Sequence, residues 1–522
     1  MSVLFTFSSL AGIGLMAAGY VGHTAPADGI APNSARLKAQ STCSAQTCDY
    51  RYEWTTCQWV FLTLECAPYD SMRRLEKKNV KPPGTRTYRL AEWVTDLTPQ
   101  TMYRYRVCGK PSGSSDFACG PEFEFTTAAS GQPDSPQYNQ QGAVAAGSMS
   151  HPVGANQGRD VGNAVVFRDQ ALYYFGDTWG NGWWRTSTAA YGTRRWFKGD
   201  FPPLDDAKVT DQHFQNGIPK QFVVYTDREP EFVFNQDLKK DERYYHWPTS
   251  NFIRPTAGGD EALLFWTRGG FEGGTHRAGT YLDRVRPGDS TTRGADGRVL
   301  MWAQGQADGY QPLDIDQDGF RYFISCKAVP PGWSTRCFLA RVSPGSATNP
   351  AAYRYYNEST NTWDANQISL LCHDKECPSH IKGGLFEGPP YMGYHPSITW
   401  NPYLSKYLSV AGTGSGVELR IADQITGPWS QPTSVPGTPE GRYGFLPKTA
   451  KEGLDNYHAR EHLHLRSPDA QTIVVSYFHA AELNSPENRA VKLVKIELEK
   501  TIWRVRSSPN SLHKNSQLRP AI

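Results

Sequence analysis

The chain has no strong charge of one sign, no long apolar run beyond its N-terminus and few Leu-rich amphipathic stretches. Lys and Arg total 54 against 51 Asp and Glu, a net charge of +3. That balance supplies no field to hold nucleic acid or an anionic membrane. Neither partner is expected, whereas a neutral one such as a polysaccharide or glycan fits. No later segment is long enough to cross a bilayer as a helix. No Gly-rich phosphate loop, Gly-x-Ser-x-Gly elbow or catalytic cysteine signature occurs, so nothing supports nucleotide chemistry or acyl transfer.

The chain is rich in aromatics at 12%, with 48 Gly and 37 Pro in 522 residues. This composition favours many short strands and turns, an all-β chain. The length exceeds one ordinary core, so two or more domains are expected. Residues 1–19, MSVLFTFSSLAGIGLMAAG, read as a secretory signal without the usual basic start. A first strand or a misplaced start is the alternative. Ten cysteines fall in close couples: Cys43/Cys48, Cys57/Cys66, Cys108/Cys119, Cys326/Cys337 and Cys372/Cys377. Such couples suit local disulfides and a secreted, extracellular protein. None has the C-x-x-C spacing of a zinc or redox site, and no cofactor is expected. Asn357-Glu358-Ser359 is a glycosylation sequon if the chain is exported.

Residues 20–127 alternate apolar and polar positions in short strands. Within them, Leu97-Thr98-Pro99-Gln100-Thr101-Met102-Tyr103-Arg104-Tyr105-Arg106-Val107 and Phe123-Glu124-Phe125-Thr126-Thr127 resemble the C-terminal half of a fibronectin type III domain. The resemblance makes Tyr103 a tyrosine corner and Trp54 a core residue of a β-sandwich. Residues 128–150, rich in Gly, Ser, Gln, Pro and Ala, read as a linker. Between 151 and 505 a strand, a turn and an aromatic strand recur, starting at Asp160, Trp247, Tyr310, His395 and His458. Five such starts suit a five-bladed β-propeller better than one or two further sandwiches, followed by a tail at 506–522.

The first unit carries Asp160 ahead of one strand and Tyr173-Tyr174-Phe175-Gly176-Asp177-Thr178 on the next. His395-Pro396-Ser397-Ile398-Thr399-Trp400-Asn401 and Gly427-Pro428-Trp429-Ser430 follow in the fourth. In that order these stretches resemble five-bladed glycoside hydrolase propellers of the arabinanase and β-xylosidase type. The Phe-Gly-Asp-Thr ending is closer to a group that includes endo-acting D-arabinanases. The resemblance implies cleavage of a furanose- or pentose-containing polysaccharide, with Asp160 as base and Asp177 as its partner. The chain departs from the arabinanase pattern where the second and third units open. His246-Trp247-Pro248-Thr249-Ser250 and Tyr310-Gln311-Pro312-Leu313 carry no acid there. A non-catalytic glycan- or protein-binding propeller is the alternative.

A turn centred on Asp169-Gln170 sets Asp177 opposite Gly162 and diagonal to Asp160, about 7–8 Å between Cα atoms. Two such carboxyls split each other's pKa values, which supplies an acid and a base. Gly162 leaves room for a sugar or water, and the alternative role for either Asp is to cap a turn. The other openings add Trp247, Thr249, Tyr310, Gln311, His395, His458 and Arg460 as candidate sugar contacts, each with blade packing as its ordinary alternative. Glu461 is either the missing acid or an ion-pair partner of Arg460. Asp314-Ile315-Asp316-Gln317-Asp318-Gly319 starts like a calcium loop, but Ser325 replaces the closing glutamate, so a hairpin turn is expected. His458 and His462 are four apart, a zinc spacing on helices, yet Leu463-His464-Leu465 alternates like a strand, so no metal is expected. An axial ion near His458 or His395 is the alternative that the family resemblance leaves. A monomer is expected.

Overall fold

The computed structural model describes residues between 20 and 500. Its longer breaks fall at 81–87, 139–143, 150–157, 193–213, 225–241, 294–298, 303–309, 366–386, 389–395, 437–456 and 481–488, with shorter ones elsewhere. The candidate signal, the C-terminal tail, Cys372, Cys377 and His395 lie outside the described residues. Those residues contain strands and short 3-10 turns but no α-helix, as the composition leads one to expect. No helix among them is long and apolar enough to cross a membrane.

Near the N-terminus, Tyr20–Asp28, Ser34–Cys43 and Tyr88–Thr95 form one sheet, and Cys48–Val60 and Met102–Pro111 centre a second. Leu37, Tyr52, Tyr105 and Val107 belong to the one core that fills between them. The Thr98 N–H donates to the Tyr103 hydroxyl at 2.9 Å, the corner that the sequence suggests. Trp54 is half-buried and packs against the edge of this core, beside the fully buried Tyr52. Disulfides join Cys43 to Cys48, Cys57 to Cys66, Cys108 to Cys119 and Cys326 to Cys337. The last three tie residues directly opposite on antiparallel strands.

The remainder is a series of antiparallel meanders. Their leading strands are β1 (Asn163–Val166), β2 (Glu242–Thr256), β3 (Gln311–Gln317), β4 (Ser397–Asn401) and β5 (Tyr457–Glu461). Each is followed by antiparallel partners, and β3 and β4 meet in a parallel pairing of Asp314 with Thr399. Strand residues alternate between faces, so a strand with sheets on both sides must be apolar throughout. Ala171–Phe175 is such a strand, and all five residues are buried. Leu172 and Tyr174 pack with Leu264 and Trp266 of the β2 sheet, while Tyr173 and Phe175 pack with Val474 and Val491 of the β5 sheet. Further clusters join the β2 sheet to the β3 sheet, β3 to β4 and β4 to β5. Every meander therefore shares a core with two others.

Part of the segment read as a linker is built into this series. Gln137–Tyr138 and Val144–Ser148 pair with Arg489–Glu499 beside β5. Pairing along a sheet edge needs only backbone, so a polar, glycine-rich composition does not exclude it. The same segment meets the first domain, where Lys38 lies over the Tyr138 ring and Arg36 pairs with Glu499 at 2.8 Å.

Candidate functional site

The first hairpin turns at Phe167, whose N–H donates to the Gln170 carbonyl at 2.9 Å. Its register pairs Asn163 with Tyr174, and beyond a kink Arg159 pairs with Thr178. Val161 makes that kink, with φ of 51°. Asp160 consequently faces Asp177 directly, its N–H donating to the Asp177 carbonyl at 2.9 Å. The diagonal arrangement expected from the sequence is corrected by a turn centred one residue earlier. Gly162 does not open a path for substrate, since a Cβ there would stand 2.8 Å from Val491. Gly176 is the glycine the site requires, because a Cβ there would come within 2.5 Å of Asp160 Oδ1. The Asp160 carboxyl lies over that bare Cα.

Asp177 accepts hydrogen bonds on Oδ1 from Trp247 Nε1 at 2.8 Å and from Trp184 Nε1 at 3.4 Å. Burial raises its pKa to about 6, against the pull of the two indole donors, which favour the ionised form. Trp247 stacks on Tyr245 with ring centroids 3.8 Å apart, and Trp179 stacks on Trp184 at 5.4 Å. Trp179, Trp184 and Trp247 are all half-buried, so their rings retain accessible surface beside the carboxyls. A titratable acid, a second carboxyl on the opposed residue and flat apolar faces can hold a sugar and transfer a proton.

The other predicted contacts do not join this mouth. Tyr310 is buried among Trp302, Phe323 and Tyr355, where blade packing has claimed it. Arg460 is buried and donates to the Thr249 carbonyl, Ser250 Oγ and Gln311 Oε1 at 3.2, 2.7 and 3.3 Å. Thr249 sits at a bulge in β2, its hydroxyl spent on the Phe265 carbonyl at 3.0 Å. Arg460, Thr249 and Gln311 thus form a sealed crosslink between leading strands. His458 is buried and holds φ of 55°.

Glu461 makes no ion pair with Arg460, because neighbours on a strand point to opposite faces. Its Oε2 accepts from the Thr399 hydroxyl at 2.5 Å, and its own N–H donates to Ser397 Oγ at 2.9 Å. Burial raises its pKa to about 7, with Asp314 adding to the rise and Thr399 and Arg466 opposing it. Glu461 and Asp314 line a cavity of about 420 Å³ with Asn163, Asn251, Arg321 and His464. This cavity touches β1 at Asn163–Val166 and β2 at Asn251–Ile253, past the Arg460 crosslink and away from Asp160. The sequence offered Asp314 only as part of a calcium-like turn. As expected there, Asp318 and Gly319 make the hairpin turn, with φ of 54° and 72°. Leu463–Leu465 is a 3-10 turn and not a continued strand, closed by the Leu465 N–H to the His462 carbonyl at 3.0 Å.

No family model matches the chain, and no curated protein matches it in sequence. Among solved structures it is similar to a Bacteroides ovatus protein described provisionally as a hydrolase. That pair shares 15% identity over 67% of this chain and 87% of the other, with a TM-score of 0.44. It is also similar to an α-L-arabinofuranosidase of Podospora anserina in complex with cellotriose. There the identity is 10%, over 70% of this chain and 98% of the other, with a TM-score of 0.32. The sensor domain of the anti-sigma factor RsgI4 of Pseudobacteroides cellulosolvens shares 17% identity over 21% of this chain and 90% of its own, with a TM-score of 0.14.

Proposed function

We propose that the chain is a secreted glycoside hydrolase of a furanose- or pentose-containing polysaccharide, acting at the Asp160–Asp177 mouth. The fold in this reading is a five-bladed propeller, with β1 to β5 as its innermost strands, behind a fibronectin type III-like sandwich. The five shared cores, each joining one meander to the next, support it. The observation that carries the function is the direct opposition of Asp160 and Asp177, one of them raised to about 6. Glycosidases need one protonated and one ionised carboxyl across the scissile bond. Asp177 would hold the proton and deliver it to the leaving oxygen. Asp160 would stay ionised, as base or nucleophile. Trp179, Trp184 and Trp247 would receive the apolar faces of the sugars. Glu461 lies beyond the Arg460 crosslink and takes no part in this chemistry.

The test is a screen of the purified chain against plant, fungal and mycobacterial polysaccharides for new reducing ends, repeated with Asp160→Asn and Asp177→Asn. Each variant is expected to melt within a few degrees of the parent and to lose at least about 10²-fold in rate, the usual worth of general acid or base help. Activity surviving in both would leave a glycan-binding propeller, which the same tryptophans would serve.

A further inference from the structure

We propose that the cavity between Glu461 and Asp314 is a second carbohydrate site, separate from the mouth, taking one neutral, hydroxyl-rich sugar residue. Glu461 is 3% exposed, and its Oε1 is buried with no hydrogen-bond partner. A carboxyl oxygen left unpaired in a protein interior is expensive, and such a group marks a place where something else supplies the bond. Asn251 lines the same cavity. Its Nδ2 donates to the Ala164 carbonyl at 2.9 Å and the Tyr174 hydroxyl at 2.8 Å, which fixes the amide at the cavity wall. Phe252, Ile253 and Leu463 supply apolar wall for the C–H face of a ring. A volume of about 420 Å³ is within the range of small-ligand sites. Asp314 is exposed, so the cavity reaches solvent.

The chemistry selects a hydroxyl over a cation. Arg460, Arg321 and Arg466 all act electrostatically on Asp314, so the cavity already has positive charge around it. The unmet need is a single bond at Glu461 Oε1. A sugar hydroxyl meets it in either protonation state, donating to the carboxylate or accepting from the acid. An ammonium group can only donate and would face three guanidinium groups. The crosslink of Arg460 to Thr249, Ser250 and Gln311 separates this cavity from the mouth. The two sites therefore fill independently, and the proposal does not require hydrolysis at Asp160.

Ligand-observed NMR on the full chain tests it, with L-arabinose, D-xylose and D-glucose as probes and glucosamine and glucuronate as charged controls. Neutral-sugar binding is expected to persist in Trp247→Ala, which alters the mouth. It should vanish in Glu461→Leu and weaken by up to about tenfold in Asn251→Ala, the scale of one lost neutral hydrogen bond. Should Glu461→Leu fail to fold, Glu461→Ala, which also leaves no polar atom at the site, carries the same expectation. No neutral-sugar binding in Trp247→Ala, unchanged binding in folded Glu461→Leu, or preference for glucosamine would each overturn the proposal. Sugar binding at Glu461 with no hydrolysis of any polysaccharide would sink the reading of the mouth alone.

Discussion

The Trp247 indole donates to Asp177 Oδ1 at 2.8 Å across a gap of seventy residues in sequence, tying the second meander to the acid of the first. The bond favours the ionised carboxyl and so holds down a pKa that burial raises. Trp247→Phe keeps a ring to stack on Tyr245 but removes the donor. A hydrogen bond to a charged group is worth about 1.5–3 kcal/mol, so the Asp177 pKa should rise by about one unit. With Asp177 as the acid, kcat/KM falls above its pKa. The falling limb of the pH profile is then expected to move from near pH 6 to near pH 7, with little change at low pH. A limb that stays in place would remove Asp177 from the acid role.

Gly176 offers a test of Asp160 that leaves both carboxyls in the chain. The Asp160 oxygen occupies the place of a Cβ at Gly176. Gly176→Ala must push that side chain aside, and an aspartate can rotate to yield. Folding should survive, with the melting temperature within a few degrees of the parent. Misplacing a reacting group by about 1 Å can cost on the order of 10²-fold in rate. The expected signature is therefore a fall in kcat with KM nearly constant. Full activity in Gly176→Ala would mean that the position of the Asp160 carboxyl does not matter to turnover.

The parts of this molecule legible in its sequence are those that repeat. The aromatic run at Tyr173-Tyr174-Phe175 announces a strand covered on both faces, and the Asp-Gly turn at 318–319 announces its hairpin. Register was less legible, because moving the turn by one residue turns a diagonal couple into an opposed one. Pairing across the chain was hidden altogether. Nothing local in Gln137-Tyr138 says that it lies against Leu498 and Glu499, since backbone bonds leave no mark on side-chain pattern. Glu461 looked like a partner for Arg460 because the two are adjacent in sequence. The strand instead sends Arg460 to Ser250 and Glu461 to Thr399. Tyr310 likewise opens a strand as a sugar platform would, yet its position faces the β2 sheet and fills a core.

Glu461 also sets a pH dependence of stability that can be measured without any substrate. Its pKa stands at about 7 in the fold against 4.5 in the free residue, chiefly through burial. Between those values the folded chain binds the proton and the unfolded chain does not. Stability from this group is therefore complete below about pH 4.5 and is lost as the pH rises toward 7. A shift of this size corresponds to about 3 kcal/mol for the Glu461 share. Glu461→Gln cannot ionise, so its unfolding free energy should change less with pH and exceed that of the parent above pH 7. Urea denaturation at pH 5 and pH 8, with and without the substitution, gives the comparison. Equal pH dependence in the two proteins would show that Glu461 is ionised in the folded state at both values, as an exposed glutamate is.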